Sequence, residues 1–429
     1  MTAPRYGSPG VDPAPLFEPL TFSPSGRTGP NRFLKAATSE RLASWDPKDE
    51  SARGIPSKQL ITLYRTWGAG GWGNILTGNI ATDAVHLEAA GNPIIKASDP
   101  FEGPRFEAFK ELAAAGKENG SLLLGQITHA GRQVESWIQP NPISASAVPL
   151  KESATGRSYG EAREATKEDI AAIVEGFAHA AEYLEKAGFD GIELHGAHGY
   201  LIAQFLSPRT NKRTDEYGGN LENRSRIVFE IASEIRKRVS PKFILGIKIN
   251  SVEYQPEGIT LDDAKNLSIA LENAHFDFIE ISGGNYEKLA FKHVKEENRK
   301  RENYFLTQAE EIIKSLKGET RVFSTGGFKT TEGLVNSLAT LDGVGLGRAA
   351  CQDPGLPNAI KNDGATGVLK QAYDEEGFQA MVLVFVLIKQ IANGLQPADF
   401  SVQENVDEAW EKARQHMQRV AEDKDHYVI

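Results

Sequence analysis

The sequence predicts an α/β chain whose eight parallel strands close into a (β/α)8 TIM barrel, with long lid loops and a C-terminal helical extension. Three observations predict it. Eight short apolar runs alternate with amphipathic stretches along residues 31–349, and such alternation builds parallel sheets. The runs are apolar at consecutive positions, as strands covered on both faces must be. No GxGxxG follows the first run, so an open doubly wound sheet lacks its usual signature.

The runs, in order, are NRFLKAA (31–37), NILTGNI (74–80), SLLLGQITH (121–129) and GIELHGA (191–197). FILGIKIN (243–250), FIEISGG (278–284), RVFSTGG (321–327) and GVGLGRA (343–349) complete the set. Between them lie helical patterns. The clearest is TKEDIAAIVEGFAHAAEYLEKAGFD, where Ile170, Ile173, Val174, Phe177, Ala181 and Leu184 share one face. Thr166 is placed to cap its start and Gly188 to end it. PSKQLITLYRTWGAGG, SRIVFEIASEIRKRVS and TLDDAKNLSIALENA repeat the pattern, the last with a capping pair in Thr260 and Asp263.

Residues 1–30, rich in Pro, Gly and Ser, read as an irregular lead-in, 31–369 as the barrel, and 370–429 as a helical extension. Within the extension FQAMVLVFVLIKQIANG is strongly apolar. It is expected to pack on the barrel or on another subunit, which is consistent with a homodimer. Two connections, from Ala130 to about Glu164 and from Asn285 to Tyr304, are too long for simple turns and suggest functional loops. The second contains KHVKEENRKR, which reads as a solvated mixed-charge helix rather than an anion site, because Glu296 and Glu297 interrupt the basic run.

Composition narrows the function. A net charge of −10 argues against a general nucleic-acid or acidic-membrane binder. The single cysteine, Cys351, excludes internal disulfides and cysteine-ligated iron–sulfur clusters. No run of about 18 apolar residues suggests a membrane span. MTAPRYGSPGVDPAP lacks the apolar core of a secretory leader, and HYVI matches no retention or peroxisomal signal, so the expected location is the cytoplasm.

In a barrel, chemistry sits at the C-terminal ends of the strands. The seventh and eighth runs end in STGGF and GLGRA, where barrels often hold phosphate. Gly326, Gly327 and Gly347 would let backbone N–H groups approach the oxygens, and Arg348 would add a forked charge; tight turns are the alternative. Gln126 interrupts the third run and could bond to a ring carrying donors and acceptors, or be an ordinary buried amide. Lys248 within GIKIN needs an anionic partner if buried, and in a barrel lumen that partner is expected to be a ligand; a strand-end lysine reaching solvent is the alternative. HGAHGY places His195, His198 and Tyr200 where the fourth run ends. The HxxH spacing lacks the glutamate of a zinc helix, so no metal is expected. A structural histidine pair is one reading. The other is two imidazoles holding a carbonyl while a phenol supplies a proton.

These segments resemble the Old Yellow Enzyme family of flavin-dependent ene-reductases. HGAHGYLIAQFLSPRTNKRTDEYGGNLENRSR carries the resemblance, with NRFLKAATSE after LFEPLTF, and GQITHAGRQ, EISGGNYE, STGGF and GLGRAA. It spans about residues 16–360. It implies noncovalent FMN, with NADH or NADPH as hydride donor and a small-molecule alkene as substrate. Gln126 would face the flavin pyrimidine edge. Lys248 would stand where the family usually has arginine, near flavin N1 and O2. Gly326, Gly327, Gly347 and Arg348 would hold the phosphate, and Ala36, Ala37 and Gly78 would offer backbone near the isoalloxazine. His195 and His198 would bind the substrate carbonyl, so that hydride from flavin N5 adds to the β-carbon. Tyr200 would protonate the α-carbon. At the position near flavin O4 that usually carries Thr or Cys, direct count from Asn31 gives Ser39, with Thr38 beside it; both are candidates. Three rival readings keep the barrel. They are a flavin-dependent desaturase or isomerase of a dedicated biosynthetic substrate, a flavin-free aldolase or isomerase, and a non-enzymatic scaffold.

Overall fold

A computed structural model describes residues 3–151, 156–287, 300 and 302–429. All eight expected runs are strands of one closed parallel barrel. We number them β1 (Phe33–Lys35), β2 (Asn74–Ala81), β3 (Leu122–Thr128) and β4 (Gly191–Gly196). The others are β5 (Ile244–Asn250), β6 (Phe278–Ser282), β7 (Arg321–Thr325) and β8 (Gly343–Leu346). Each pairs in parallel with its sequence neighbour, and β8 pairs with β1 to close the ring.

The helices around the barrel follow the local signals. Among them are α1 (Lys58–Gly68), α2 (Gly103–Lys117), α3 (Lys167–Lys186), α4 (Leu201–Leu206), α5 (Leu221–Arg238) and α6 (Leu261–Asn273). Thr166 with Asp169, and Thr260 with Asp263, form full capping boxes at the starts of α3 and α6. Further on come α7 (Leu306–Ile313), α8 (Thr331–Ser337), α9 (Arg348–Gln352), α10 (Leu356–Asp363), α11 (Phe378–Ala392) and α12 (Gln403–Glu422). The apolar α11 packs against α1 and α9 on the barrel wall, and α12 packs on α11.

Period-two alternation sorts each strand. Outward residues such as Ile75, Leu123, Ile192, Leu245, Ile279 and Val322 join the layer between barrel and helices. Inward residues fill the lumen in layers. The lowest is apolar, from Leu34, Leu76, Leu122, Leu124, Ile244, Phe278 and Phe323. Gly246 belongs there for a steric reason: a Cβ on it would stand 2.1 Å from the Phe278 ring.

The stretch before residue 31, read as irregular, supplies the plug for this layer. Leu20–Thr21 pairs antiparallel with Thr28–Gly29. The hairpin drives Phe22, fully buried, into the barrel floor, with ring centroids 5.9 Å from Phe278 and 6.3 Å from Phe323. Two-residue strands carry no periodicity, which is why they escape a reading by pattern. The first long loop contains a short parallel pair, Ile143–Ser144 with Arg163–Glu164. The expected helix within KHVKEENRKR lies, apart from Lys300, outside the described residues.

Candidate active site

Moving up the lumen, the layer above the apolar floor is polar. Leu124 is followed by Gln126, Gly246 by Lys248, Phe278 by Glu280 and Phe323 by Thr325, each two residues on and facing inward. Gln126 Nε2 donates to Glu193 Oε1 at 2.7 Å. Lys248 pairs with Glu280 at 2.8 Å, and the Thr325 hydroxyl donates to the same carboxylate oxygen. The anionic partner expected for Lys248 from a ligand is therefore a protein carboxylate. Burial, aided by the nearby Glu280 charge, pushes the Glu193 carboxyl well above its usual range, so it stays protonated. The charge of Lys248 overcomes burial at Glu280 and holds that group ionised. The layer thus carries one cation, one anion and one neutral acid. Glu193 and Glu280 are not among the residues the sequence motifs singled out, yet their signal matches that of Lys248: a charge inside an apolar run.

The top layer holds the HGAHGY motif. His195, one residue before the end of β4, faces inward beside Lys248 in the ladder. Its ring lies 5.1 Å from that of His198 and 4.6 Å from that of Tyr200, both nearly perpendicular. His198 occupies the left-handed region, φ 59°, which a side chain of this size seldom adopts unaided. Two neighbours hold it there: its N–H donates to Asn250 Oδ1 at 3.2 Å, and Gln133 Nε2 donates to its carbonyl at 3.1 Å. Ser282 Oγ sits 2.8 Å from His198 Nε2. With that hydroxyl donating, Nδ1 carries the proton and has no protein acceptor among the described residues. His195 Nδ1 accepts a long bond from the Ala197 N–H at 3.4 Å, which leaves Nε2 as its donor. Burial, followed by the proximity of His198 and of the Lys248 cation, holds His195 well below the usual imidazole range. Burial and then Lys248 push His198 down to about 3. Both are neutral donors near pH 7. Tyr200 is the residue before α4, 4 % exposed. Burial, then Tyr286 and Glu88, hold its hydroxyl well above the ordinary phenol range.

The β1 loop separates its two candidates. Thr38 Oγ1 accepts from Lys35 Nζ at 3.1 Å, behind the strand, where Lys35 also lies over the Trp67 ring. Ser39 Oγ accepts from Asn79 Nδ2 at 2.9 Å, and Thr128 Oγ1 donates to Asn79 Oδ1 at 2.7 Å. Ser39 therefore stands with the β2 and β3 ends. The backbone offered by Gly78 is already engaged, because Glu40 Oε1 accepts its N–H at 2.7 Å. The Ala36 N–H is likewise taken by Leu346 O at 3.0 Å. Ala37 carries no such bond among the described residues and stays with the apolar floor.

At the β7 and β8 ends, Gly326 and Gly327 have φ 117° and 92°. Among the described residues no protein acceptor takes the N–H of Gly326, Gly327 or Gly347. Arg348 follows directly, its guanidinium resting on the Glu375 carbonyl. Three free N–H groups beside an arginine fit the phosphate of FMN. The Tyr304 ring covers the far side of the diglycine, where a Cβ on Gly327 would come within 2.6 Å of it.

A second histidine pair lies close by. Asp83 Oδ2 faces His86 Nδ1 at 2.6 Å and His129 Nε2 at 3.3 Å. The trio has the composition of a metal site. Its outer nitrogens argue otherwise: His86 Nε2 accepts from the Ile143 N–H and His129 Nδ1 from the Gly131 N–H. The nitrogens facing Asp83 must then carry protons, so both donate to the carboxylate. No HxxH-type spacing marks this trio in the sequence.

A parallel barrel with a flavin-compatible polar rim defines a class, the barrel flavoprotein oxidoreductases. The chain belongs to the NADH:flavin oxidoreductase / NADH oxidase family, the Old Yellow Enzyme family, which it matches over residues 15–366. It is similar to an NADH-dependent flavin oxidoreductase, nadA, of Aspergillus parasiticus, 48% identical over 419 residues, 96% of this chain and 94% of that one. An NADPH dehydrogenase of Geobacillus is 32% identical over 70% of this chain and 84% of its own length. Morphinone reductase shares the fold, with TM-score 0.65 at 22% identity over 82% of this chain and 92% of that one. A 2-naphthoyl-CoA reductase does so at TM-score 0.75 and 24% identity over 89% of this chain, which spans 58% of that longer one. The protein is an FMN-dependent oxidoreductase that takes electrons from NADH or NADPH. The flavin-free and scaffold readings are thereby set aside. No helix among the described residues is long and apolar enough to cross a membrane.

Proposed function

We propose that the enzyme reduces the C=C bond of activated alkenes, enones and enals, with NADH or NADPH. One observation carries this reading. Two neutral imidazoles with donors to spare and one phenol meet at the end of β4, within 5.1 Å ring to ring. FMN, when bound, supplies hydride taken from the nicotinamide. The residues of the chain do the rest. Gly326, Gly327, Gly347 and Arg348 would hold the FMN phosphate, while Gln126, Lys248 and Ser39 would offer polar groups to the flavin ring. His195 Nε2–H and His198 Nδ1–H donate to the substrate carbonyl oxygen and draw charge away from the β-carbon. Tyr200 gives its hydroxyl proton to the α-carbon, a transfer that suits a weak acid because the acceptor is more basic still.

The test is an anaerobic titration of purified holoenzyme. NADPH should bleach the flavin band, and cyclohex-2-enone should restore it with formation of the saturated ketone. Reoxidation by oxygen alone, with no ketone formed, would overturn the alkene reading and leave the flavin chemistry intact.

A further inference from the structure

Tyr200 has a neighbour that the mechanism above does not use. Its hydroxyl lies 2.7 Å from that of Tyr286, and the rings meet edge to face at 5.8 Å. Tyr286 follows β6, in SGGNYE. Both residues beside it are anchored. Asn285 bridges to His198, and the Glu287 carboxylate pairs with Arg209 at 2.9 Å and Arg132 at 3.5 Å. The phenol is thus held against Tyr200 by the same framework that holds the imidazole.

The two phenols differ in access. Tyr200 is 4 % exposed and packs with Ala130 and Val134. Tyr286 is only partly buried, beside Ile138 in that cluster and 6.3 Å from the Tyr159 ring. A phenolate left on Tyr200 has no comparable route to water. The groups bearing on Tyr286 are Tyr200, Tyr159, Glu88 and Arg157.

We propose that Tyr286 returns to Tyr200 the proton that Tyr200 delivers, so that the pair is a two-phenol relay between substrate and solvent. This rests on the alkene-reductase reading. In the first step the Tyr200 O–H bond breaks as the Cα–H bond of the product forms. As that bond breaks, the Tyr286 O–H proton moves to the Tyr200 oxygen across the 2.7 Å contact, so no phenolate builds up on Tyr200. Water then protonates Tyr286. The electrons come from the nicotinamide through FMN, so the sum is one NAD(P)H and one proton per double bond. Tyr286 acts through Tyr200 and is a positioning residue, not a catalytic one.

The experiment compares holoenzyme with Tyr286→Phe, Tyr200→Phe and the double variant in anaerobic stopped flow. Cyclohex-2-enone reoxidises the reduced enzyme across a pH series in water and deuterated water. Tyr286→Phe is expected to slow reoxidation on the order of tenfold, with an altered pH profile and solvent isotope effect. Flavin reduction by NADH and enone affinity should not change. The double variant should be no slower than Tyr200→Phe, and Tyr286→His should recover part of the rate with a pH dependence of its own. Wild-type rate and profile in Tyr286→Phe, with Tyr200→Phe slow, would overturn the relay while sparing Tyr200. Additive losses in the double variant would also overturn it. A fast Tyr200→Phe would instead remove the proton-donor reading beneath it.

Discussion

Two pairs of histidines stand at the C-terminal ends of this barrel's strands, and their ring nitrogens are used in opposite ways. His86 and His129 lie nearly parallel with centroids 4.4 Å apart, whereas His195 and His198 meet at 75°. In the first pair every ring nitrogen is engaged by Asp83 or by a backbone N–H. In the second, protein partners hold one nitrogen of each ring, and the other is left to donate. Residue type is identical, three of the four rings are buried and His198 is partly buried, and the arrangement of partners separates a spent pair from one with donors to spare. An imidazole offers one donor and one acceptor when neutral; once both are spent within the protein, none remains for a ligand.

The sharpest break of this contrast lies at the free pair. Tyr200→Phe should lower the rate of flavin reoxidation by an enone about 10²–10⁴-fold, the usual worth of a general acid, with reduction by NADH unchanged. His195→Ala should weaken enone binding and turnover together by about 10–100-fold, as expected for one donor bond of about 1.5–3 kcal/mol. At the engaged pair the effect should move from chemistry to stability. His129→Ala should cost about 1–3 kcal/mol in denaturant unfolding, because it leaves the buried Gly131 N–H without its acceptor and removes one of the two imidazoles donating to Asp83. Its half-reaction rates should stay near those of the parent. If instead His129→Ala abolishes enone reduction in a protein that melts normally, the division between the pairs fails.

The last effect is in the pH dependence of stability. His198 has a folded pKa of about 3, below the unfolded value near 6.5. Between those values the unfolded chain binds more protons, so stability is complete above about pH 6.5 and declines as pH falls toward 3. The slope is about 1.4 kcal/mol per pH unit for one such group. His198→Gln should flatten it in acid denaturation. An unchanged slope would show that other groups carry the effect.

Much of the fold was legible because each signal was local. Eight apolar runs became eight strands, since a strand covered on both faces needs apolar residues at consecutive positions. Thr166 and Thr260 cap their helices because a hydroxyl three residues before a free N–H reaches it whatever lies around. The missed features all join distant segments. Phe22 plugs a barrel floor built by Phe278 and Phe323. His426, near the end of the chain, stacks on Trp137 at 4.0 Å, and its carbonyl accepts from the Trp45 indole, so the C-terminal segment lies against the β1 and β3 loops. Lys248 drew notice as a buried charge, but its partner stood 32 residues on in β6, and nothing in GIKIN names it.

The sequence by itself determined the class of the barrel, its strands and capped helices, the family, and the residue types at the end of β4. Those follow from periodicity and from short-range hydrogen bonding, which neighbouring residues decide among themselves. Only the tertiary structure decided that Ser39 and not Thr38 stands with the β2 and β3 ends, that Lys248 is neutralised by Glu280, and that one histidine pair is spent while the other is free. Each of those outcomes depends on which donor meets which acceptor across strands far apart in the chain, and that pairing exists only once the barrel has closed.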